Sequence, residues 1–213
     1  MRKIIAISGL AASGKGTIAR TFARKYGWRY VDLGLIFRAI TYALENKKAR
    51  TIKEAGKMIE YRWKKGEVAV LLKGRNILKD ILTPGIALKT AKLSYDEKNL
   101  KEISKVAERI ADQEGDLICD GRNAGTTIFP NADLKIFVSA NILTRAKRRQ
   151  KDNEKLGFKM RFGDILNLLE TRDRIDSERI FGSSKKPKGA LEINTDVIPP
   201  EETADLIWSF IKN

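Results

Sequence analysis

The sequence has no histidine, one cysteine, two glutamines and five prolines. Without imidazole there can be no Ser-His or Cys-His nucleophile pair, and the commonest general base and metal ligand are missing as well. The lone Cys119 sits in the apolar run Leu117-Ile118-Cys119. A disulfide within one chain is therefore impossible, and a small buried side chain is its expected role. No apolar run approaches the roughly 18 residues of a membrane helix, and Met1-Arg2-Lys3 leads into a short strand rather than a signal peptide. The protein is expected to be cytoplasmic, with no membrane partner.

Acidic charge is the other shortage: 27 Asp and Glu stand against 42 Lys and Arg, for a formal net charge of +15. An anionic partner is implied, either nucleotide or nucleic acid. Lysines scattered along helices also read as a plain solvated face of the kind heat-adapted proteins carry. Aromatic residues rarely interleave with the basic runs, so nucleic acid is not the expected partner. At 213 residues the chain can bury one full core that carries insertions.

What is present begins with an apolar strand, Lys3-Ile4-Ile5-Ala6-Ile7, running into Ser8-Gly9-Leu10-Ala11-Ala12-Ser13-Gly14-Lys15-Gly16-Thr17. This reads as a phosphate-binding loop. Glycines at 9, 14 and 16 permit backbone angles and close approaches that a Cβ would obstruct, so N–H groups can converge on phosphates at the start of a helix. Gly9, Ala11, Ala12, Ser13, Gly14, Lys15, Gly16 and Thr17 are the expected ATP-binding residues. Lys15 stands where its ammonium reaches the β and γ phosphates, and Thr17 where its hydroxyl approaches a metal ion. The common pattern has Ser or Thr directly after the lysine; here Gly16 intervenes. Phosphoryl transfer onto a phosphate suits a chain without histidine, because the attacking oxygen is already anionic and catalysis reduces to alignment and charge neutralisation.

Apolar runs at 3–7, 28–31, 117–120, 134–138 and 190–194 read as short buried strands alternating with helical patterns. This implies an α/β fold of the P-loop NTPase kind, with a five-stranded parallel sheet covered on both faces. A single domain is expected, with its core at 1–33, 115–140 and 190–213. Residues 34–114 would form an inserted lobe with helices at 34–46, 51–65, 84–94 and 97–114. A β-hairpin is expected from Val68–Leu72 to Ile77-Leu78 around Lys73-Gly74-Arg75-Asn76. A basic segment at 141–189 would form a lid. Two mobile lobes beside a phosphate loop suggest closure over two ligands.

Three further segments carry chemistry: Val31-Asp32-Leu33-Gly34-Leu35-Ile36-Phe37-Arg38, then Asp120-Gly121-Arg122-Asn123-Ala124-Gly125, then Glu170-Thr171-Arg172-Asp173-Arg174-Ile175-Asp176-Ser177-Glu178-Arg179. Arg172, Asp176 and Arg179 fall at helical spacings of four and three, so one face can present all three. Taken alone, Arg172 and Asp176 read first as a surface ion-pair network. Asp120 reads either as a strand-end carboxylate capping a turn or as a group ordering the water shell of magnesium.

With the phosphate loop, these segments resemble bacterial-type cytidylate kinases of the nucleoside monophosphate kinase family, in order and spacing, from the first strand to the last helix. The resemblance implies an adenylate-kinase-like fold and Mg²⁺-assisted transfer of the ATP γ-phosphate to a nucleoside monophosphate, CMP or dCMP, by a monomer. It implies that Arg38, Arg122 and Arg179 hold the acceptor phosphate. Arg172 and Asp176 would engage sugar and phosphate, with Asp32 beside them. Thr17 and Asp120 would attend the metal through water. Arg145 and Arg149, one helical turn apart in the lid, would meet the transferring group alongside Lys15 and Arg172.

The departures gather at the acceptor base. Leu33 and Phe37 replace a serine and a tyrosine usual in the family, and Asn123 replaces an aspartate. Lys92 and Lys101 fall where the family places a serine and an arginine that help to read cytosine. Relaxed or shifted base specificity is the resulting expectation. A kinase for another monophosphate or for a small phosphorylated metabolite is the first alternative. A non-catalytic nucleotide- or nucleic-acid-binding P-loop protein is the second.

Overall fold

In the computed structural model, which describes residues 2–64, 66–178 and 185–212, the chain runs β1 (Ile4–Gly9), α1 (Lys15–Tyr26), β2 (Arg29–Asp32), α2 (Leu33–Glu45) and α3 (Ile52–Met58). It continues through β3 (Ile59–Lys64), β4 (Glu67–Leu72), β5 (Arg75–Asn76), α4 (Leu78–Ile81), α5 (Pro84–Leu93) and α6 (Glu97–Ala111). It closes with β6 (Leu117–Asp120), β7 (Leu134–Ser139), α7 (Ile142–Lys155), α8 (Phe162–Glu178), β8 (Leu191–Asn194) and α9 (Pro200–Ile211). A π-helical turn, Ala124–Ile128, follows β6.

The five expected strands pair in the order β2-β6-β1-β7-β8, and every pairing is parallel. Such a sheet has helices on both faces, which explains why its strands read as unbroken apolar runs. On one face, α1 and α9 pack over β1, β6 and β7 through Ile18, Phe22, Ile136, Val138 and Ile207. On the other, Ala6, Val31, Leu117 and Cys119 join a larger core shared with α2, α3, α6 and the small sheet β3-β4-β5. The inserted segment thus shares the core of the main sheet. Cys119 is fully buried, as its apolar setting suggested.

Helix starts follow local chemistry. Asp32, Thr51, Thr83, Asp96 and Asn141 each accept a backbone N–H of the first turn of α2, α3, α5, α6 and α7, satisfying donors that have no partner within the helix. Gly27, at φ 73°, ends α1, the left-handed cap that glycine accepts without penalty.

Two expectations about the insertion are corrected. The helix read over 51–65 stops at Met58, and Ile59–Lys64 is a strand paired antiparallel to β4. The sequence Ile59-Glu60-Tyr61-Arg62-Trp63-Lys64 alternates buried or part-buried with exposed residues, a period of two that the preceding helical pattern masked. The hairpin turn is also tighter than expected. Only Lys73 and Gly74 turn, both at positive φ (50° and 82°), while Arg75 and Asn76 pair with Leu72 and Leu71. Two left-handed residues match the twist of the flanking strands, and Leu78 already begins α4. Among the described residues, no helix is long and apolar enough to cross a membrane.

Candidate functional site

The carboxyl ends of β1, β2 and β6 face one crevice, the place where open parallel sheets bind ligands. β1 ends at Gly9, with φ 144°, where a Cβ would lie 2.2 Å from the Val138 carbonyl oxygen. Only glycine lets β1 run this close to β7 and still turn into the loop. The loop passes through Ala12 at φ 58° and Gly14 at φ 96° before α1 begins at Lys15. Ser13 is fully buried, and its Oγ has no hydrogen-bond partner. Such a group is costly to leave unmet.

Two clefts meet at this loop. The larger, about 430 Å³, is lined by Ser13, Gly14, Gly16 and Thr17, with Arg148 and Lys151 from α7. The smaller, about 280 Å³, is lined by Arg38, Arg122, Asn123, Arg149, Arg172 and Asp176. Ala12, Lys15, Asp32, Asp120 and Asp152 line both. Ala11 lines the smaller one.

Lys15 is 8% exposed, and its ammonium donates to the Leu10 carbonyl at 2.5 Å. Burial pushes its pKa down to about 8, against the favourable pull of nearby Asp120. Asp32 and Asp120 stand opposite each other in the β2–β6 ladder, so both carboxylates lie at the same edge of the sheet. Burial, reinforced by the neighbouring Asp32 charge, pushes the Asp120 carboxyl up to about 7. Burial raises Asp32 too, countered chiefly by Arg38. A crowded pair of carboxylates favours a proton or a cation between them. Both are held from behind. Tyr30 Oη, fully buried, donates to Asp120 Oδ1 at 2.7 Å, while Asp32 Oδ1 accepts from Leu35 N at 3.1 Å and its own N–H donates to Tyr61 Oη at 3.0 Å.

The segment after β6 is tied to β1: Gly121 N donates to the Ile7 carbonyl at 3.0 Å and Gly125 N to Ser8 Oγ at 3.0 Å. These bonds fix Arg122 and Asn123 between them. Arg122 forms an ion pair with Asp176 of α8, so α8 reaches the edge of the main sheet. Arg38, on α2, is near Asp32, and burial lowers its pKa.

The lid arginines divide. Arg149 lines the smaller cleft, whereas Arg145, 4% exposed, is engaged elsewhere. Its Nη1 pairs with Asp173 of α8 at 2.6 Å, and its Nε donates to the Ala140 carbonyl at 3.1 Å. The expected pairing of Arg145 with Arg149 at one reacting group is therefore not what the structure presents. Lys101 also differs from expectation: it lies on the exposed face of α6, paired with Glu97 at 2.6 Å, and Lys92 is exposed. The parts of α5 and α6 that do line the cleft are Thr90, Ala91, Ser94 and Leu100. Arg179 falls outside the described residues.

Several residues that sequence reasoning passed over support the site. Thr195, after β8, accepts from Arg148 Nη1 at 2.8 Å and donates to the Ser13 carbonyl at 2.8 Å, joining lid, loop and sheet. Nothing local to Thr195 announces this. Arg148 and Lys151 lie within the segment 141–189 read as a basic lid. Tyr30 under Asp120 and Ser94 in the smaller cleft had no sequence signal.

A glycine-rich loop joining a strand to a helix, a buried lysine and two carboxylates at the end of a parallel sheet define a P-loop phosphoryl-transfer fold. Among solved structures, the chain is similar to shikimate kinase from Bacteroides thetaiotaomicron, with a TM-score of 0.54 and 13% identity, covering 99% of both chains. That likeness concerns the fold alone. A family model for cytidylate kinase matches residues 5–213. The cytidylate kinase of Bacillus subtilis is 34% identical over 98% of this chain and 96% of that protein. That of Bacillus licheniformis is 33% identical over 97% and 95%. The chain belongs to the cytidylate kinase family.

Proposed function

We propose that this protein transfers the γ-phosphate of ATP to CMP or dCMP. The observation that carries the reading is the meeting of two clefts at Lys15, Asp32 and Asp120. A donor in one and an acceptor in the other would bring two phosphate chains together at a buried ammonium. The loop N–H groups and Ser13 Oγ would hold the donor phosphates, with Lys15 swinging from the Leu10 carbonyl to their oxygens. Arg148 and Lys151 add positive charge along the donor side.

On the acceptor side, Arg38 and Arg122 would grip the monophosphate, since a guanidinium matches phosphate oxygens through paired hydrogen bonds. Asp176 fits a sugar hydroxyl and orients Arg122 by their ion pair. Arg172 and Arg149 would face the transferring group. Arg145 would act one layer back, clamping α7 to α8 through Asp173 so that the segment 141–189 moves as a lid that excludes water. The acceptor-phosphate role that the resemblance gives Arg179 is retained in this reading.

The residues present suit Mg²⁺. Asp32, Asp120 and Thr17 offer oxygen ligands only, and magnesium is ordinarily held by one or two carboxylates with waters and substrate phosphates. When bound, Mg²⁺ offsets charge on the β and γ phosphates. All of these side chains come from one chain, which suits a monomer. A cytoplasmic location fits an enzyme that uses ATP and a nucleoside monophosphate.

The test is ADP formation from Mg-ATP with CMP, dCMP, AMP or GMP, and with no acceptor. ADP that forms with CMP and dCMP, and not with AMP, GMP or no acceptor, is expected. ADP formation independent of the acceptor would overturn the reading.

A further inference from the structure

The charged and the neutral residues that line the smaller cleft come from different elements. Its charged groups come from the strand ends, α2, α7 and α8; the wall supplied by α5 and α6 consists of Thr90, Ala91, Ser94 and Leu100 and brings no ionisable side chain. Leu33 and Phe37 add apolar surface from α2. A phosphate belongs against the charged groups and a flat, uncharged ring against the neutral ones.

The hydrogen-bonding capacity of the neutral residues is narrow. Thr90 Oγ1 is engaged with the Ile86 carbonyl at 2.7 Å. Ser94 Oγ and Asn123 Nδ2 are buried and have no hydrogen-bond partner. Asn123 is otherwise firmly held, its carbonyl accepting from Thr127 N at 3.0 Å and Ile128 N at 3.2 Å in the π-helical turn. Its backbone is thus anchored while its amide Nδ2 is left for a ligand, and buried polar groups rarely go unmet.

Neither group has a fixed polarity. A hydroxyl donates or accepts according to its rotation, and an asparagine amide presents one acceptor and one donor that exchange places on a half-turn. Cytosine offers a donor at its 4-amino group and an acceptor at N3; uracil offers an acceptor at O4 and a donor at N3. One amide orientation makes both bonds to cytosine, and the flipped orientation makes both to uracil.

We infer that the acceptor class is pyrimidine nucleoside monophosphates and that UMP is phosphorylated alongside CMP, with Asn123 and Ser94 reading either base. This rests on the acceptor cleft assigned under the proposed function, and its test separates the two. For the full chain with Mg-ATP, the kcat/KM ratio of CMP over UMP is expected to stay below about thirtyfold. A site of fixed polarity would discriminate by about 10⁴. CMP turnover with a ratio above about thirtyfold overturns this inference and leaves the CMP activity standing. Absence of turnover with both overturns both readings.

Asn123→Asp replaces the amide by an acceptor-only group, so the ratio should rise at least about tenfold through loss of UMP; an unchanged ratio overturns the role of Asn123. If thermal melting shows that this carboxylate disrupts folding, Asn123→Ala serves instead. It should lower kcat/KM for both nucleotides while leaving their ratio within about threefold of wild type, and loss confined to one of them would contradict an amide that serves both.

Discussion

The charged and the neutral groups of the smaller cleft are held by opposite means. Lys15, Asp32 and Asp120 are charged and sit on strand ends and a helix start of the main sheet, with Tyr30 behind one carboxylate and Leu35 N capping the other. Ser94 and Asn123 are neutral, come from separate elements and have no hydrogen-bond partners at Oγ and Nδ2. Burying charge is tolerated only where neighbours offset it, and that need ties the charged groups to a rigid scaffold. Reading a base requires donors and acceptors left open. Chemistry and selectivity are thereby divided between regions of unlike physics.

The largest effect that could break this division is at Lys15. Lys15→Ala should lower kcat by about a thousandfold or more while the fold persists, because removing one preorganised charge at a transferring group has effects of this size. Folded protein with near-normal turnover would remove the loop from the mechanism.

Asp120→Asn comes next, with turnover falling by about a hundredfold or more. It also has a signature in the ligand-free protein. The folded carboxyl, pushed up to about 7, keeps its proton where the unfolded chain, near 3.9, has released it. Folding stability therefore falls as pH rises from about 4 to 7, and the loss is complete above that range. The variant lacks this titration, so its melting temperature should gain on wild type across the same window. A constant offset would contradict a raised Asp120.

The two lid arginines sharpen the comparison. Arg149→Ala should reduce kcat tenfold or more, on the order expected for a charge facing the transferring group, with little change in melting. Arg145→Ala should destabilise the fold by about 2 kcal/mol or more, since Asp173 would lose its partner in a poorly solvated place. Equal melting of the two variants would refute the division of labour. The smallest effect is expected at Lys101, whose side chain is 52% exposed. Lys101→Ala should change KM for CMP by less than about twofold, because exposed ion pairs of this kind contribute little.

Legibility in the sequence follows the same division. The phosphate loop could be read because its strand, glycines, lysine and helix are contiguous, and the five strands because parallel strands buried on both faces leave unbroken apolar runs. The base-reading groups could not. Ser94 and Asn123 lie 29 residues apart in the sequence and share a cleft only through the packing of α2, α5, α6 and the π-helical turn. Alignment of short motifs instead pointed to Lys92 and Lys101, which face outward. Tyr30 beneath Asp120 and Thr195 beneath Ser13 are similarly long-range, 90 and 182 residues apart. The strand Ile59–Lys64 was hidden because its alternation abuts a helical pattern with no glycine or proline between them.

The central claim is that phosphate handling and base reading are separable in this site, and the CMP-to-UMP ratio of kcat/KM in two variants tests it most directly. Lys15→Ala should lower both values in parallel and leave the ratio within about threefold of wild type, whereas Asn123→Asp should move it at least about tenfold toward CMP. A ratio that shifts with Lys15 and stays fixed with Asn123 would contradict the account.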